Sequence, residues 1–99
     1  YGVVLMKNVS YDQAINLVVN YNAKLIDTQL EEDYYRKHLQ GSINIPVEQI
    51  NNYADYYLPD RNELIVVYCL KGIRSVAATD MLERLGYANV YNLQGGIEN

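Results

Sequence analysis

One short stretch of the chain combines a nucleophile, two cations and a glycine. It reads CLKGIRS over residues 69–75, and Cys69 is the only cysteine among the 99 residues. The apolar run ELIVVY comes just before it, and apolar residues at helical spacing follow it. Cys69 is therefore predicted to lie in a turn between a strand and a helix. The residue types in this turn are those of a site for a reactive thiolate and an anion.

The chemistry expected at this turn follows from its position. The first N–H groups of a helix have no partner within the helix, and the helix dipole favours negative charge there. Gly72 permits the positive φ angle at which successive N–H groups converge on one point. Lys71 and Arg74 add positive charge, so Cys69 is expected to be a thiolate nucleophile. A lone cysteine is more often a small buried hydrophobe, and only the position of Cys69 in the turn argues for a nucleophile.

The rest of the chain alternates helices and strands, which is typical of an α/β domain with a parallel sheet covered by helices on both faces. Ser10 and Gln13 form a capping-box pattern before the first helix. Helices are predicted at residues 11–21, 30–41 and 47–58, and from the turn after Cys69 to a cap at Gly86. Strands are predicted at residues 23–28, 42–46, 63–68 and 88–93, with a short edge strand at 3–6. Ligands of such sheets gather at the carboxyl ends of the strands, so Cys69 and Asp27 are expected at one sheet edge.

The composition argues against several classes of function. The net charge is -4, and the eight Lys and Arg residues form no basic stripe that would attract a nucleic acid. No stretch approaches the roughly 18 apolar residues of a membrane span. One cysteine and one histidine give no cluster of metal ligands, and one cysteine cannot form an internal disulfide. We expect a cytoplasmic protein with no metal, cofactor, nucleic-acid partner or membrane partner, and a periplasmic location stays open.

Three blocks of the sequence, in the right order, resemble the rhodanese (thiosulfate sulfurtransferase) superfamily. LIDTQLEEDYYRKHLQGSINIP at residues 25–46 is similar to the family's LIDVRxxxEYxxGHIxGAINIP stretch. CLKGIRS resembles its CxxGxRS active-site loop, and LGYANVYNLQGGIEN resembles its LGxxxVxxLxGGI ending. The likeness runs from about residue 8 to the last residue. It implies that residues 1–99 form a single rhodanese-like domain of three layers, with a central parallel sheet of about five strands and helices on both faces.

The resemblance also implies roles for individual residues. Cys69 would accept a sulfur atom and carry it as a persulfide. Five residues would cradle that persulfide and bind substrate: Leu70, Lys71, Gly72, Ile73 and Arg74. Lys71 would help to hold an anionic donor, Arg74 would either face the ligand or brace the loop from outside, and Ser75 would cap the following helix. The implied reaction moves sulfane sulfur from thiosulfate or a similar donor to cyanide, a thiol or a protein, without an external cofactor.

The chain departs from the family pattern at three places and keeps the family's histidine. Gln29 stands where the family usually has arginine, which puts in question an ion pair that braces the sheet edge but implies no loss of chemistry. Asp33 replaces the usual glutamate, which is a milder change. His38 matches the family's histidine before the third strand and is expected to order that turn rather than to activate the thiol. The chain ends at GGIEN, where relatives usually continue with an aromatic residue, so a domain truncated at its C-terminus is expected.

Two other classes of function stay open. The excised appearance of both termini suggests a non-catalytic or sulfur-carrier module of a larger protein. A cysteine-dependent phosphatase or arsenate reductase is the other alternative, because related loops serve those reactions. Phosphatases characteristically use the spacing CxxxxxR, whereas only four residues separate Cys69 from Arg74 here. Sulfur transfer is therefore the leading hypothesis.

Overall fold

The computed structural model describes residues 6–98 of the chain. Its strands are β1 (Asn8–Val9), β2 (Lys24–Asp27), β3 (Ile43–Asn44), β4 (Leu64–Tyr68) and β5 (Asn89–Leu93). Its helices are α1 (Tyr11–Tyr21), α2 (Glu31–Arg36), α3 (Ile50–Tyr57) and α4 (Arg74–Arg84), with a 3-10 turn at Val47–Gln49 before α3. The edge strand predicted at residues 3–6 falls, apart from Met6, outside the described residues.

The five strands form one parallel sheet in the order β1-β5-β4-β2-β3, which places β4 at the centre. Tyr68 at the end of β4 is level with Asp27 at the end of β2. Cys69 follows Tyr68 directly, so Cys69 and Asp27 lie at the same edge of the sheet, as predicted. The predicted fold class is confirmed.

Helices cover both faces of the central strand. Ile65 and Val67 of β4 belong to the apolar cluster to which α3 and α4 contribute. Val66 and Tyr68 belong to the opposite cluster, to which α1 contributes Ala14. Consecutive residues of a strand point to opposite faces, so a continuous β-branched run is buried on both sides. This buried strand gives Cys69 a rigid support.

The helix ends follow signals that are local in the sequence. The hydroxyl of Ser10 accepts a hydrogen bond from the Gln13 amide, and the Gln13 side chain accepts one from the Ser10 amide, which is the predicted capping box. Gly86 follows the end of α4 with a φ of 98°, a left-handed conformation that favours glycine. Within residues 6–98, no helix has both the length and the apolar character required to cross a bilayer.

Several element bounds differ from the prediction, and the differences at β1 and α2 are the largest. β1 was not predicted at Asn8–Val9, because a strand of two residues is defined by its pairing with β5 rather than by its own sequence. α2 covers Glu31–Arg36 rather than residues 30–41. It stops because Lys37 is extended, with a φ of -159°, and turns its carbonyl toward the buried side chain of Gln29.

Candidate active site

Cys69 lies in the turn between β4 and α4 and is only 1% exposed. Its Sγ accepts hydrogen bonds from the backbone N–H groups of Gly72, at 3.1 Å, and Ser75, at 3.3 Å. The hydroxyl oxygen of Ser75 lies 3.5 Å from the same sulfur. The two N–H groups and the hydroxyl can all donate hydrogen bonds to a negatively charged group at this position, and the role of Cys69 as a nucleophile stays a prediction.

Ser75 does not cap α4, so the prediction for this residue is wrong. The helix begins at Arg74. The residue before it, Ile73, makes no side-chain hydrogen bond to the first turn of the helix. Ser75 is the second residue of the helix and is fully buried. A capping residue must precede the helix. The Cys69 sulfur instead accepts the hydrogen bond of a first-turn amide, and Ser75 becomes a direct neighbour of the thiol.

Gly72 has the conformation predicted for it, with a φ of 84°. A Cβ at this position would also lie 2.9 Å from the backbone nitrogen of Gly95. Both the backbone angle and the close packing therefore require glycine. The N–H groups of Leu70, Lys71 and Ile73 have no acceptor within the described part of the chain. They remain free to bind an anion at the turn.

The segment after β5 is hydrogen-bonded to the backbone of the cysteine turn. The amide of Ile97 donates to the Cys69 carbonyl at 3.1 Å, and the amide of Glu98 donates to the Leu70 carbonyl at 2.9 Å. A Cβ on Gly96 would collide with these two carbonyl groups, so the segment can approach this closely only with glycine there. Sequence reasoning missed this contact. The glycine pair in GGIE was the available signal for it, but the pair was used only as part of the family's C-terminal motif.

The guanidinium of Arg74 is hydrogen-bonded to residues outside the turn, and which of its two predicted roles it serves stays a prediction. Its Nε donates to the Thr28 carbonyl at 2.9 Å. Its Nη1 and Nη2 donate to the two carboxylate oxygens of Glu48, at 2.9 and 2.6 Å. These paired hydrogen bonds lower the pKa of the Glu48 carboxyl below its usual value.

Lys71 stands at the exposed edge of the turn. Its Nζ lies 3.9 Å from a carboxylate oxygen of Glu98, and both side chains are more than half exposed. The cation is therefore near the thiol in sequence and partly balanced by a carboxylate. Its role in holding an anionic donor stays a prediction.

A pocket of about 280 Å³ opens next to the sulfur. Its walls are Gln29, Asp33, Cys69, Leu70, Lys71, Ile73 and Arg74. The structure thus brings all the predicted site residues except Gly72 to one pocket, and Gly72 contacts the sulfur through its amide. A larger cavity of about 570 Å³, whose walls include Asn44 and Tyr53, does not include Cys69.

Gln29 stands where the family usually has an arginine, and its side chain makes hydrogen bonds in place of the ion pair that an arginine would form. Its side-chain Nε2 donates to Asp27 and to the Lys37 carbonyl, both at 2.9 Å, and its backbone amide donates to the other Asp27 oxygen at 2.8 Å. Both oxygens of the buried Asp27 carboxyl are therefore satisfied without a cation. Sequence reasoning had not assigned Gln29 or Asp33 to the site. Gln29 lies two residues after the end of β2, at the predicted ligand edge of the sheet, and that position was the available signal for it; Asp33 lies in α2 and had no comparable signal.

His38 orders the turn before β3, as predicted. Its ring stacks on Tyr34 with 3.9 Å between the ring centres, and its Nδ1 lies 2.7 Å from the Tyr34 carbonyl oxygen. The histidine is thereby engaged with α2 rather than with the thiol. Across residues 6–98, no three His, Cys, Asp or Glu side chains come together as a metal site.

Burial raises the pKa of the Tyr68 hydroxyl well above its ordinary value. This hydroxyl accepts a hydrogen bond from the Leu39 amide at 2.9 Å and donates to Ser42 at 3.0 Å. Tyr68 remains protonated and fixes the loop between α2 and β3 to β4, the strand that ends just before Cys69.

Several known proteins are similar to this chain in sequence and fold. The thiosulfate sulfurtransferase PspE of Escherichia coli (strain K12) is 37% identical over 70 residues, which cover 71% of this chain and 67% of PspE. The tRNA uridine(34) hydroxylase of Buchnera aphidicola subsp. Baizongia pistaciae (strain Bp) is 35% identical over 83% of this chain, but this chain spans only 28% of its length.

A solved structure described as rhodanese with anions from E. coli superposes with a TM-score of 0.72 at 34% identity, covering 78% of this chain and 91% of that one. Residues 10–99 match the family described as Rhodanese-like domain. The match includes the strand, the cysteine turn and the glycine pair that closes on it. The chain belongs to the rhodanese-like domain family.

Proposed function

We propose that the protein is a sulfurtransferase that moves sulfane sulfur from thiosulfate or a related donor to a thiophilic acceptor through a persulfide on Cys69. The observation that carries this proposal is the contact of the Cys69 sulfur with the amides of Gly72 and Ser75 at the carboxyl edge of the sheet. The relative PspE, named a thiosulfate sulfurtransferase, supports the same class of reaction.

In the first step, the Cys69 thiolate attacks the outer sulfur of thiosulfate. A bond forms between Sγ and that sulfur, the S–S bond of thiosulfate breaks, and its electron pair leaves with sulfite. The persulfide that remains carries negative charge on its outer sulfur. We assign the stabilisation of that charge to the amides of Leu70, Lys71 and Ile73, which have no acceptor within the described part of the chain.

In the second step, an acceptor such as cyanide, a thiol or a protein thiol attacks the outer sulfur of the persulfide. The bond between that sulfur and Sγ breaks, and Cys69 is released as a thiolate. No redox cofactor is required, because each step exchanges one bond to sulfur for another.

The residues of the turn divide into three roles in this proposal. Leu70, Gly72 and Ile73 bind the transferred sulfur or the donor through the backbone or the pocket wall. Lys71 attracts the anionic donor through its exposed charge. Arg74 positions the turn, since its guanidinium is bound to other parts of the domain rather than directed at the sulfur.

The geometry argues against phosphatase chemistry. A phosphoryl group presents three oxygens, which require several amides and an arginine wrapped around one centre. Four residues separate Cys69 from Arg74, and the Arg74 guanidinium already makes three hydrogen bonds to Thr28 and Glu48. A carrier module would share the first step of sulfur transfer and differ only in lacking turnover with a small acceptor.

The test is a transfer assay with thiosulfate as donor and cyanide as acceptor, run on wild type and Cys69→Ser. Wild type is expected to form thiocyanate over many cycles, and Cys69→Ser is expected to form none. Circular dichroism of both proteins controls for folding. Transfer that persists in Cys69→Ser contradicts the proposed mechanism, whereas wild type that binds sulfur without turnover would identify a carrier.

A further inference from the structure

The cavity of about 570 Å³ that excludes Cys69 has no role in the proposed sulfur transfer. Its walls come from the start of α2, the turn after β3 and one face of α3, and we call it the tyrosine cavity after Tyr53 and Tyr57 of α3. Glu48 is one of these walls, whereas Arg74, its hydrogen-bonded partner, lines the pocket beside the thiol. The Arg74–Glu48 pair therefore lies between the two cavities.

The tyrosine cavity exposes large apolar side chains. Tyr53 and Tyr57 are four residues apart in α3, so their rings lie on the same face of the helix. Tyr53 is 46% exposed and Tyr57 is 37% exposed, and Leu30, the residue before α2, is 43% exposed. An organic group that covers these side chains removes apolar surface from water, which is favourable in proportion to the area covered. The cavity therefore suits an organic ligand better than a bare ion.

The walls of the tyrosine cavity also carry negative charge without a cation. In the described part of the chain, they include Glu31 and Glu48 but no Lys, Arg or His. Glu48 is paired with Arg74, whereas Glu31 is exposed and forms no ion pair within residues 6–98. The side-chain nitrogen of Asn44 donates to two backbone carbonyl groups, which leaves its side-chain oxygen as an acceptor. These walls attract a cation that donates hydrogen bonds and disfavour an anion.

We infer that the tyrosine cavity binds an arginine side chain of a partner protein. A guanidinium group is planar, so it stacks on the face of a tyrosine ring and also donates paired hydrogen bonds to a carboxylate such as that of Glu31. The methylene groups of the same side chain cover apolar surface at Leu30. A lysine carries a compact and strongly hydrated ammonium group, which matches this combination less well. The net charge of -4 favours the approach of a basic partner.

The test is a titration of the isotope-labelled protein with blocked tripeptides at low salt, followed by the NMR chemical shifts of its backbone amides. The peptides are Gly-Arg-Gly, Gly-Lys-Gly and Gly-citrulline-Gly, because citrulline has the shape of arginine but a neutral urea group. The arginine peptide is expected to shift amides at the start of α2 and in α3. It is expected to bind about threefold or more tighter than the citrulline peptide, and also tighter than the lysine peptide.

Three results of this titration would overturn the inference. The first is equal affinity for the arginine and citrulline peptides, which would show that the positive charge is not recognised. The second is a set of shifts spread evenly over the acidic residues of the surface. The third is a change of the amide shifts at the cavity when the protein is diluted without any peptide, which would assign the cavity to a second copy of the chain.

Two pairs of variants assign the binding to the walls of the cavity. Tyr53→Leu removes an aromatic ring from the cavity, whereas Tyr21→Leu makes the same change at an exposed position that does not line it. Glu31→Gln removes a carboxylate from the cavity, whereas Glu32→Gln makes the same change one residue further along the chain, outside the cavity. The first member of each pair is expected to weaken binding of the arginine peptide by about twofold or more, and the second to leave it unchanged. An affinity in Tyr53→Leu equal to that of wild type would overturn the inference.

The inference goes beyond the proposed sulfur transfer and does not depend on it. Cys69→Ser is expected to bind the arginine peptide as tightly as wild type does, because Cys69 is not a wall of the tyrosine cavity. Loss of sulfur transfer in this variant together with unchanged peptide binding is the result expected when both proposals are correct. Loss of peptide binding in Cys69→Ser would place the peptide in the pocket beside the thiol and would overturn the inference alone.

Discussion

Gly96→Ala is expected to displace the turn that holds Cys69, whereas Gly95→Ala is expected to leave it in place. Both glycines have positive φ angles, 71° and 82°, at which a side chain costs about 1–2 kcal/mol. A Cβ on Gly96 would collide with the backbone of Cys69 and Leu70, while one on Gly95 would meet nothing within 4 Å. The two variants therefore share the backbone cost and differ in the collision.

The size of the difference follows from the hydrogen bonds that the collision removes. The bonds from Ile97 to the Cys69 carbonyl and from Glu98 to the Leu70 carbonyl contribute about 0.5–1.5 kcal/mol each. Gly95→Ala is expected to lower the free energy of unfolding by about 1–2 kcal/mol, and Gly96→Ala by about 2–5 kcal/mol. At a stability of about 5–15 kcal/mol, typical of natural proteins, Gly95→Ala remains folded, and Gly96→Ala remains folded except where the largest loss meets the smallest stability.

The assay combines urea unfolding with sulfur transfer from thiosulfate, expressed per folded molecule. Displacement of the turn moves the amides that contact the sulfur, so Gly96→Ala is expected to lower the transfer rate by about tenfold or more. Gly95→Ala is expected to keep a rate close to that of wild type. Equal losses of stability and rate in the two variants would refute the role given to the segment behind the turn.

Three further predictions concern the charges and the length of the turn. Lys71→Ala is expected to raise the apparent KM for thiosulfate by about two- to fivefold and to weaken the salt dependence of the rate. The reason is that an exposed cation attracts an anion and that dissolved salt screens this attraction. A KM that is unchanged at every ionic strength would contradict this. Glu48→Gln is expected to lower the free energy of unfolding by at most about 1 kcal/mol at neutral pH, since Glu48 is largely exposed. Because Arg74 lowers the folded-state pKa of Glu48 below 4.5, its contribution is complete above pH 4.5 and is lost as the pH falls through the lowered pKa; urea titrations that show the same difference in acid would contradict the pairing. Hydrolysis of aryl phosphates is expected to be negligible beside sulfur transfer, and phosphate release that depends on Cys69 and exceeds sulfur transfer would show that the short turn does not exclude phosphoryl groups.

The fold could be predicted because its signals are local. The β-branched run before Cys69 marks a strand buried on both faces, and Ser10 with Gln13 marks the start of α1. The alternation of strands and helices then favours a parallel sheet, because few other topologies connect the elements in this order. The position of Cys69 at the carboxyl edge follows from the same alternation.

The surroundings of the thiol could not be predicted in full, because they depend on residues that are distant in the chain. Arg74 binds Glu48, which is 26 positions away, so the direction of its guanidinium is fixed by tertiary structure. Ile97 reaches the Cys69 carbonyl only because β5 lies beside β4 in the sheet. The role of Ser75 was misassigned because the first residue of α4 could not be located to within one position.

The most direct test of a persulfide on Cys69 is the intact mass of the protein after incubation with thiosulfate, read before and after treatment with a reducing agent. The protein is expected to gain the mass of one sulfur atom and to lose it on reduction, and Cys69→Ser is expected to gain nothing. A mass that thiosulfate leaves unchanged, or an equal gain in Cys69→Ser, would contradict sulfur transfer through Cys69.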